Sequence, residues 1–153
     1  MPFALTIAIT NAWVSQLFDQ EMAKKGVAPF QAGTLMMIKL CEPVTPTGLE
    51  AVMGLAGTTL RDRIRELTRM GLVERVPNAE DGRSYYLRTT KQAADVVRQA
   101  FATTRRVTRL LEKQGVADVE GLGDVLDDVR AAAKALIASE VRGGTGSRTT
   151  GPW

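Results

Sequence analysis

The sequence contains no histidine and only one cysteine, Cys41. Without histidine there is no Ser-His-Asp triad, no Cys-His pair, no imidazole general base, and the usual zinc constellations cannot be completed. A lone cysteine excludes a disulfide framework within the chain, which fits a reducing compartment. No apolar run approaches the roughly 18 to 20 residues that span a bilayer, and the N-terminus lacks a basic segment ahead of its apolar part. These absences predict a soluble cytoplasmic protein with neither metal nor cofactor. An enzyme would have to work through carboxylates alone, and no acid pair here has a spacing that asks for such chemistry.

What is present suits one domain with an appended dimerisation segment: 153 residues, 44% of them apolar, are enough to bury a core. Lys and Arg number 20 against 17 Asp and Glu, a net charge of +3, too mild by itself to identify a partner. Where the charge sits is more telling.

Residues 3 to 24 space Phe3, Ile7, Val14, Leu17, Phe18 and Met22 mostly by three, four or seven, predicting an amphipathic helix that stops at Gly26. A second helix is expected from Pro29 to Cys41, where Phe30, Leu35, Met36, Ile38 and Leu40 make a nearly all-round apolar rod suited to the middle of a fold. The next segment, TPTGLEAVMG, can start a short helix either with Thr45 as cap and Pro46 at the first position, or with a Thr47/Glu50 capping box; Gly54 closes it. LAGTTLRDRIRELTRMG reads as a further helix with Leu60, Ile64 and Leu67 on one face and Gly71 as its stop. Two short helices about three residues apart form a helix-turn-helix pattern.

Beyond Gly71 the alternating runs LVERV and RSYYLR flank the turn residues PNAEDG, a β-hairpin signature. Helical stripes then return, first Ala93, Val97, Ala100, Phe101, Val107 and Leu111, then Leu122, Leu126, Val129, Ala133, Leu136 and Ile137, the latter with near-heptad steps suited to a helix partner. The tail GGTGSRTTGPW has no periodicity and is expected to be disordered. The predicted fold is mainly α with a small β-hairpin.

Residues 55 to 91 carry eight basic side chains (Arg61, Arg63, Arg65, Arg69, Arg75, Arg83, Arg88 and Lys91) against five acids, an excess equal to that of the whole chain. Arginine forks onto phosphates and guanine edges. At 100° per residue, Thr58, Asp62, Arg65 and Arg69 lie opposite Leu60, Ile64 and Leu67, with Arg61 beside them and Thr58 and Thr59 in the first turn, where recognition helices meet base edges. The plainer alternative is a solvated face whose arginines pair with Asp62 and Glu66. A hairpin directly after a helix-turn-helix favours the nucleic-acid reading, because a wing lies beside the groove the helix enters.

The stretch GLVERVPNAEDGRSYYLRTT, with Gly71-Leu72-Val73-Glu74-Arg75, the pair Asp81 and Arg83, and then Leu87 and Thr90, resembles the MarR family of multiple antibiotic resistance regulators, whose wing carries an Asp-x-Arg pattern. Upstream, LEAVMGLAGTTLRDRIRELTRMG resembles its helix-turn-helix. The specific motif spans residues 49 to 90, while the order of elements extends over nearly the whole chain.

The resemblance implies a homodimeric, sequence-specific transcriptional regulator, a repressor by family habit. It would bind double-stranded DNA at a pseudo-palindromic operator and answer to a small-molecule effector. Residues 1–28 and 92–142 would form the dimerisation region, 29–91 the winged helix-turn-helix, and 143–153 the tail. Arg83 would enter the minor groove, whose enhanced negative potential attracts arginine. Asp81 would hold Arg75 or Arg83 by a charge-assisted bond.

Two positions depart from the family pattern: Glu50 replaces a usual small alanine, and Asp62 a basic or polar residue facing phosphate. Asp62 must then pair with Arg65 or Arg61, or accept from a cytosine amino group. The alternative to DNA binding is a winged helix used only for protein interaction or dimerisation.

Cys41 reads either as a peroxide sensor or, at the end of an apolar rod, as an inert buried thiol. Trp13, Phe18, Met22, Met36 and Met37 read either as core or as the lining of an effector pocket. Of Tyr85 and Tyr86, one should pack inward and the other face solvent or phosphate.

Overall fold

The computed structural model describes residues 1–24, 28–55 and 57–143. In chain order it contains α1 (Phe3–Ala23), α2 (Pro29–Cys41), α3 (Pro46–Met53), α4 (Gly57–Arg69), β1 (Val73–Pro77), β2 (Tyr85–Thr89), a 3-10 turn (Lys91–Ala93), α5 (Ala94–Lys113) and α6 (Val119–Gly143). The elements and their order match the sequence expectation. The helix stop expected at Gly26 and the tail from residue 144 lie outside the described residues, while helix α6 still includes Gly143. The contacts define two compact units, Met1–Val107 and a second beginning at Thr108.

In the first unit the central cluster forms because three periodicities converge. Leu35 and Ile38 of α2, Leu49 of α3, and Leu60, Ile64 and Leu67 of α4 are all essentially inaccessible and pack with Leu72, Val73 and Leu87 from the hairpin. Of the two starts open to α3, the chain takes the Thr45 cap: its Oγ1 accepts the Gly48 N–H at 3.1 Å, and Pro46 occupies the first turn. Gly54 and Gly71 end α3 and α4 with φ of 63° and 71°, a left-handed conformation that a side chain would strain.

Strands β1 and β2 pair antiparallel, with Val73 opposite Thr89 and Pro77 opposite Tyr85. The segment after α2 bridges to the far side of β2, since the Leu87 N–H donates to the Val44 carbonyl at 2.8 Å. Glu42 reinforces this joint. Its Oε2 accepts from the Thr89 N–H at 2.9 Å and the Thr89 hydroxyl at 3.0 Å, and its Oε1 pairs with Lys39. Burial would raise the Glu42 carboxyl, but the Lys39 ammonium and the two Thr89 donors outweigh it and hold it below its usual range.

Two expectations change. Helix α2 is not covered on every side: Ala32, Thr34, Leu35 and Ile38 are buried but Leu40 is 63% exposed. The apolar stripe of α1 is mostly uncovered within this unit, with Phe3, Val14 and Trp13 exposed and only Glu21 and Met22 buried. Met22 packs with Ala32 and Ala100 in a second, smaller cluster. Glu21 is held by Lys24 and Arg106, whose hydrogen bonds lower its carboxyl below the usual range.

In the second unit, Asp118 caps α6 by accepting the Gly121 N–H at 3.0 Å. The predicted stripe on α6 is again open, with Leu122, Val125, Leu126, Leu136 and Ile137 all exposed. Among the described residues no helix is long and apolar enough to cross a membrane.

Candidate nucleic-acid interface

The start of α3, the start of α4 and the wing enclose an open cleft of about 610 Å³. Thr45, Pro46 and Thr47 form one wall, Gly57 and Arg61 of α4 another, and Asp81, Arg83 and Tyr85 the third. Two helix starts therefore face one hollow, bringing the positive ends of two helix dipoles to it.

Along α4, Thr58, Thr59, Arg61, Asp62, Arg65 and Arg69 are all exposed, on the side away from Leu60, Ile64 and Leu67. Their charges are not equally available. Arg65 pairs with Asp62 at 3.0 Å, and Arg69 grips Glu66 with two bonds of 2.9 and 2.6 Å, which lower the Glu66 carboxyl and raise the Arg69 guanidinium further. Exposed i,i+3 pairs of this kind are weak and exchange readily for phosphate. Arg61 instead folds its Nε onto the Gly57 carbonyl at 3.1 Å. Of the two partners open to Asp62 within the protein, the chain uses Arg65.

The wing differs from expectation in one contact. Among the described residues no ion pair joins Asp81 to Arg75 or Arg83. The Asp81 carboxylate accepts the backbone N–H of Arg83 at 3.0 Å and its carbonyl accepts the Ser84 N–H at 2.9 Å. The nearby backbone donor wins because reaching it orders only one short side chain, whereas an arginine partner would cost the freedom of a long one. Arg83 thus leaves the turn with an exposed guanidinium that no acid neutralises among the described residues. Arg75 lies over the Tyr85 ring, 4.6 Å from its centroid. Tyr85 and Tyr86 are both half-buried rather than split between inside and out.

Residues that local pattern did not single out complete the wing. Asn78 is buried, donating to the Ser84 hydroxyl at 2.7 Å and accepting the Glu80 N–H at 3.0 Å. Asn followed by a turn was the available signal. The proposed effector-pocket residues fall into three surroundings: Phe18 and Met36 pack on the Met22 cluster, Met37 on the central cluster, and Trp13 is 67% exposed. Cys41 is half-buried against the central cluster. Among the described residues no group of three His, Cys, Asp or Glu could hold a metal ion.

Comparison with known proteins agrees with this architecture. Residues 25–84 match the sequence model of the MarR family. The E. coli MarR crystal structure in its apo form superposes with a TM-score of 0.72 at 24% identity, covering 84% of this chain and 97% of that one. A cysteine-to-serine variant of E. coli MarR in complex with operator DNA gives 0.71 at 25% identity, with 84% and 94% covered. The M. tuberculosis transcriptional regulator MOSR in complex with DNA gives 0.72 at 24% identity, with 89% and 98% covered. No curated protein matches by sequence. The helix-turn-helix, the hairpin wing and the matching segment agree: residues 25–84 match the MarR family, and the chain has the winged helix-turn-helix fold of these solved regulators.

Proposed function

We propose that the chain is a homodimeric, sequence-specific DNA-binding transcriptional regulator, with α4 entering the major groove and the wing reaching the adjacent minor groove. The observation that carries this reading is the cleft itself, where Arg61 and Arg83 stand beside two helix starts with no acidic partner among the described residues. Relatives of the same fold solved on DNA, the MarR variant and MOSR, support it. Thr58 and Thr59 are the base-edge candidates, Arg65, Arg69 and Arg75 the phosphate candidates, and Arg83 the minor-groove contact. The exposed apolar stripes of α1 and α6 support a dimerisation region of residues 1–28 and 92–142 beside a winged helix at 29–91. Repression, control by a small effector and a cytoplasmic location complete the reading by analogy with the family.

The test is duplex binding across a salt series. Neutralised phosphates release counterions, so affinity should fall steeply and linearly in logarithmic coordinates. The Asp81 bond reaches only the backbone of Arg83, so Arg83→Ala removes the guanidinium and leaves the turn. It should weaken operator binding by about 1–3 kcal/mol with an unchanged circular dichroism spectrum. Unchanged affinity would remove Arg83 from the interface.

The acids among the basic residues favour one second reading, a winged helix used only for protein interaction. Such a module should show no affinity for random duplex at low salt, whereas a DNA reader retains it.

A further inference from the structure

Four charged residues line the cleft between α3, α4 and the wing: Glu50, Arg61, Asp81 and Arg83. The hollow is charge-balanced, which is unexpected for a surface that meets a polyanion. The two acids differ in how they are used. Asp81 is engaged in its own turn, while the Glu50 carboxylate has no hydrogen-bond or ion-pair partner among the described residues.

Glu50 is placed by a specific fit. It projects from α3 against the start of α4, where Gly57 leaves it room: a Cβ on Gly57 would come within 2.7 Å of Glu50 Oε1 and 3.1 Å of Oε2. That is the positive end of the helix, the place where a phosphate would otherwise be drawn in. The carboxylate occupies it first.

We infer that Glu50 is a specificity-determining residue, whose carboxylate at the start of α4 disfavours arbitrary duplex more than it disfavours the operator. In a non-specific complex the protein rides on the phosphate backbone, and a phosphate at this helix start meets an uncompensated negative charge. In a specific complex α4 lies deeper in the major groove, where base amino groups are donors that a glutamate accepts from. The same side chain is then repulsive on wrong sequences and compensated on the right one, so it widens the gap between them.

This rests on the DNA-binding reading, and the experiment separates the two. Wild type, Glu50→Gln, Glu50→Ala and, as control, Glu74→Gln are titrated with the operator recovered from a random pool and with a scrambled duplex at several salt concentrations. Glu74 is an exposed acid of strand β1 that does not line the cleft. Both Glu50 variants should bind scrambled duplex about three- to tenfold more tightly while gaining less on the operator, so the specificity ratio falls. Their slopes against salt on scrambled duplex should steepen by about one phosphate contact. Equal gains on both duplexes, or a ratio no lower than that of Glu74→Gln, would overturn the assignment. If wild type bound neither duplex, the DNA reading would fail and this one with it.

Discussion

Single residues here act through short, local bonds more than through long-range charge. Thr45 is a direct case: its side chain is the cap that starts α3, one wall of the cleft. Thr45→Ala should destabilise the protein by about 0.5–2 kcal/mol, read by thermal unfolding. It should also weaken duplex binding, because the α3 start frays; unchanged unfolding would place the helix start elsewhere. The Thr45 cap was legible from the Thr-Pro pair, although Thr47 with Glu50 was an equally permissible start. Asp81 was legible as a turn residue, but not its partner, since sequence spacing does not rank a backbone donor two residues on against a nearby guanidinium. Glu42 was not legible at all: its partner Thr89 is 47 residues away, and periodicity reports only neighbours.

At the scale of elements, legibility followed amphipathicity. The α4 stripe of Leu60, Ile64 and Leu67 is buried as its spacing required, because polar residues fill every other position and leave one orientation. Helix α1 has apolar residues around much of its circumference, so its sequence did not say which side a single chain would cover. The hairpin is tied to the helices by Glu42 and by the Val44–Leu87 bridge, and this tie should titrate.

The folded-state pKa of Glu42 is depressed, so it contributes stability above its ordinary value of 4.5, and that contribution is lost as pH falls through the lower folded-state value. Glu21 and Glu66 are shifted in the same direction. Wild type should therefore lose thermal stability progressively below about pH 4.5. Glu42→Gln should start lower at pH 7 and show a shallower decline, since one of the titrating groups is gone. Parallel curves would mean that the Glu42 joint carries no charge-dependent stability.

For the whole molecule, the open stripes on α1 and α6 are what supports the proposed dimer. Soluble proteins rarely leave so many large apolar side chains uncovered, and the near-heptad spacing on α6 suits a helix partner. The sequence predicted both the spacing and a partner, whereas the packing of that partner depends on a second chain that no single sequence pattern describes. The protein should sediment at twice its 16.6 kDa mass, and replacing Leu126 and Ile137 together by Asp should yield helical monomers.

If the chain works as the proposed two-fold dimer, its two winged helices read DNA as two inverted half-sites. The purified protein should therefore be mixed with a random duplex pool and the retained DNA sequenced. An enriched inverted repeat is expected, its half-sites centred about one helical turn apart, roughly 10–10.5 base pairs, or a multiple of it. Retained DNA with no enriched sequence, or with a solitary unpaired half-site, would contradict it.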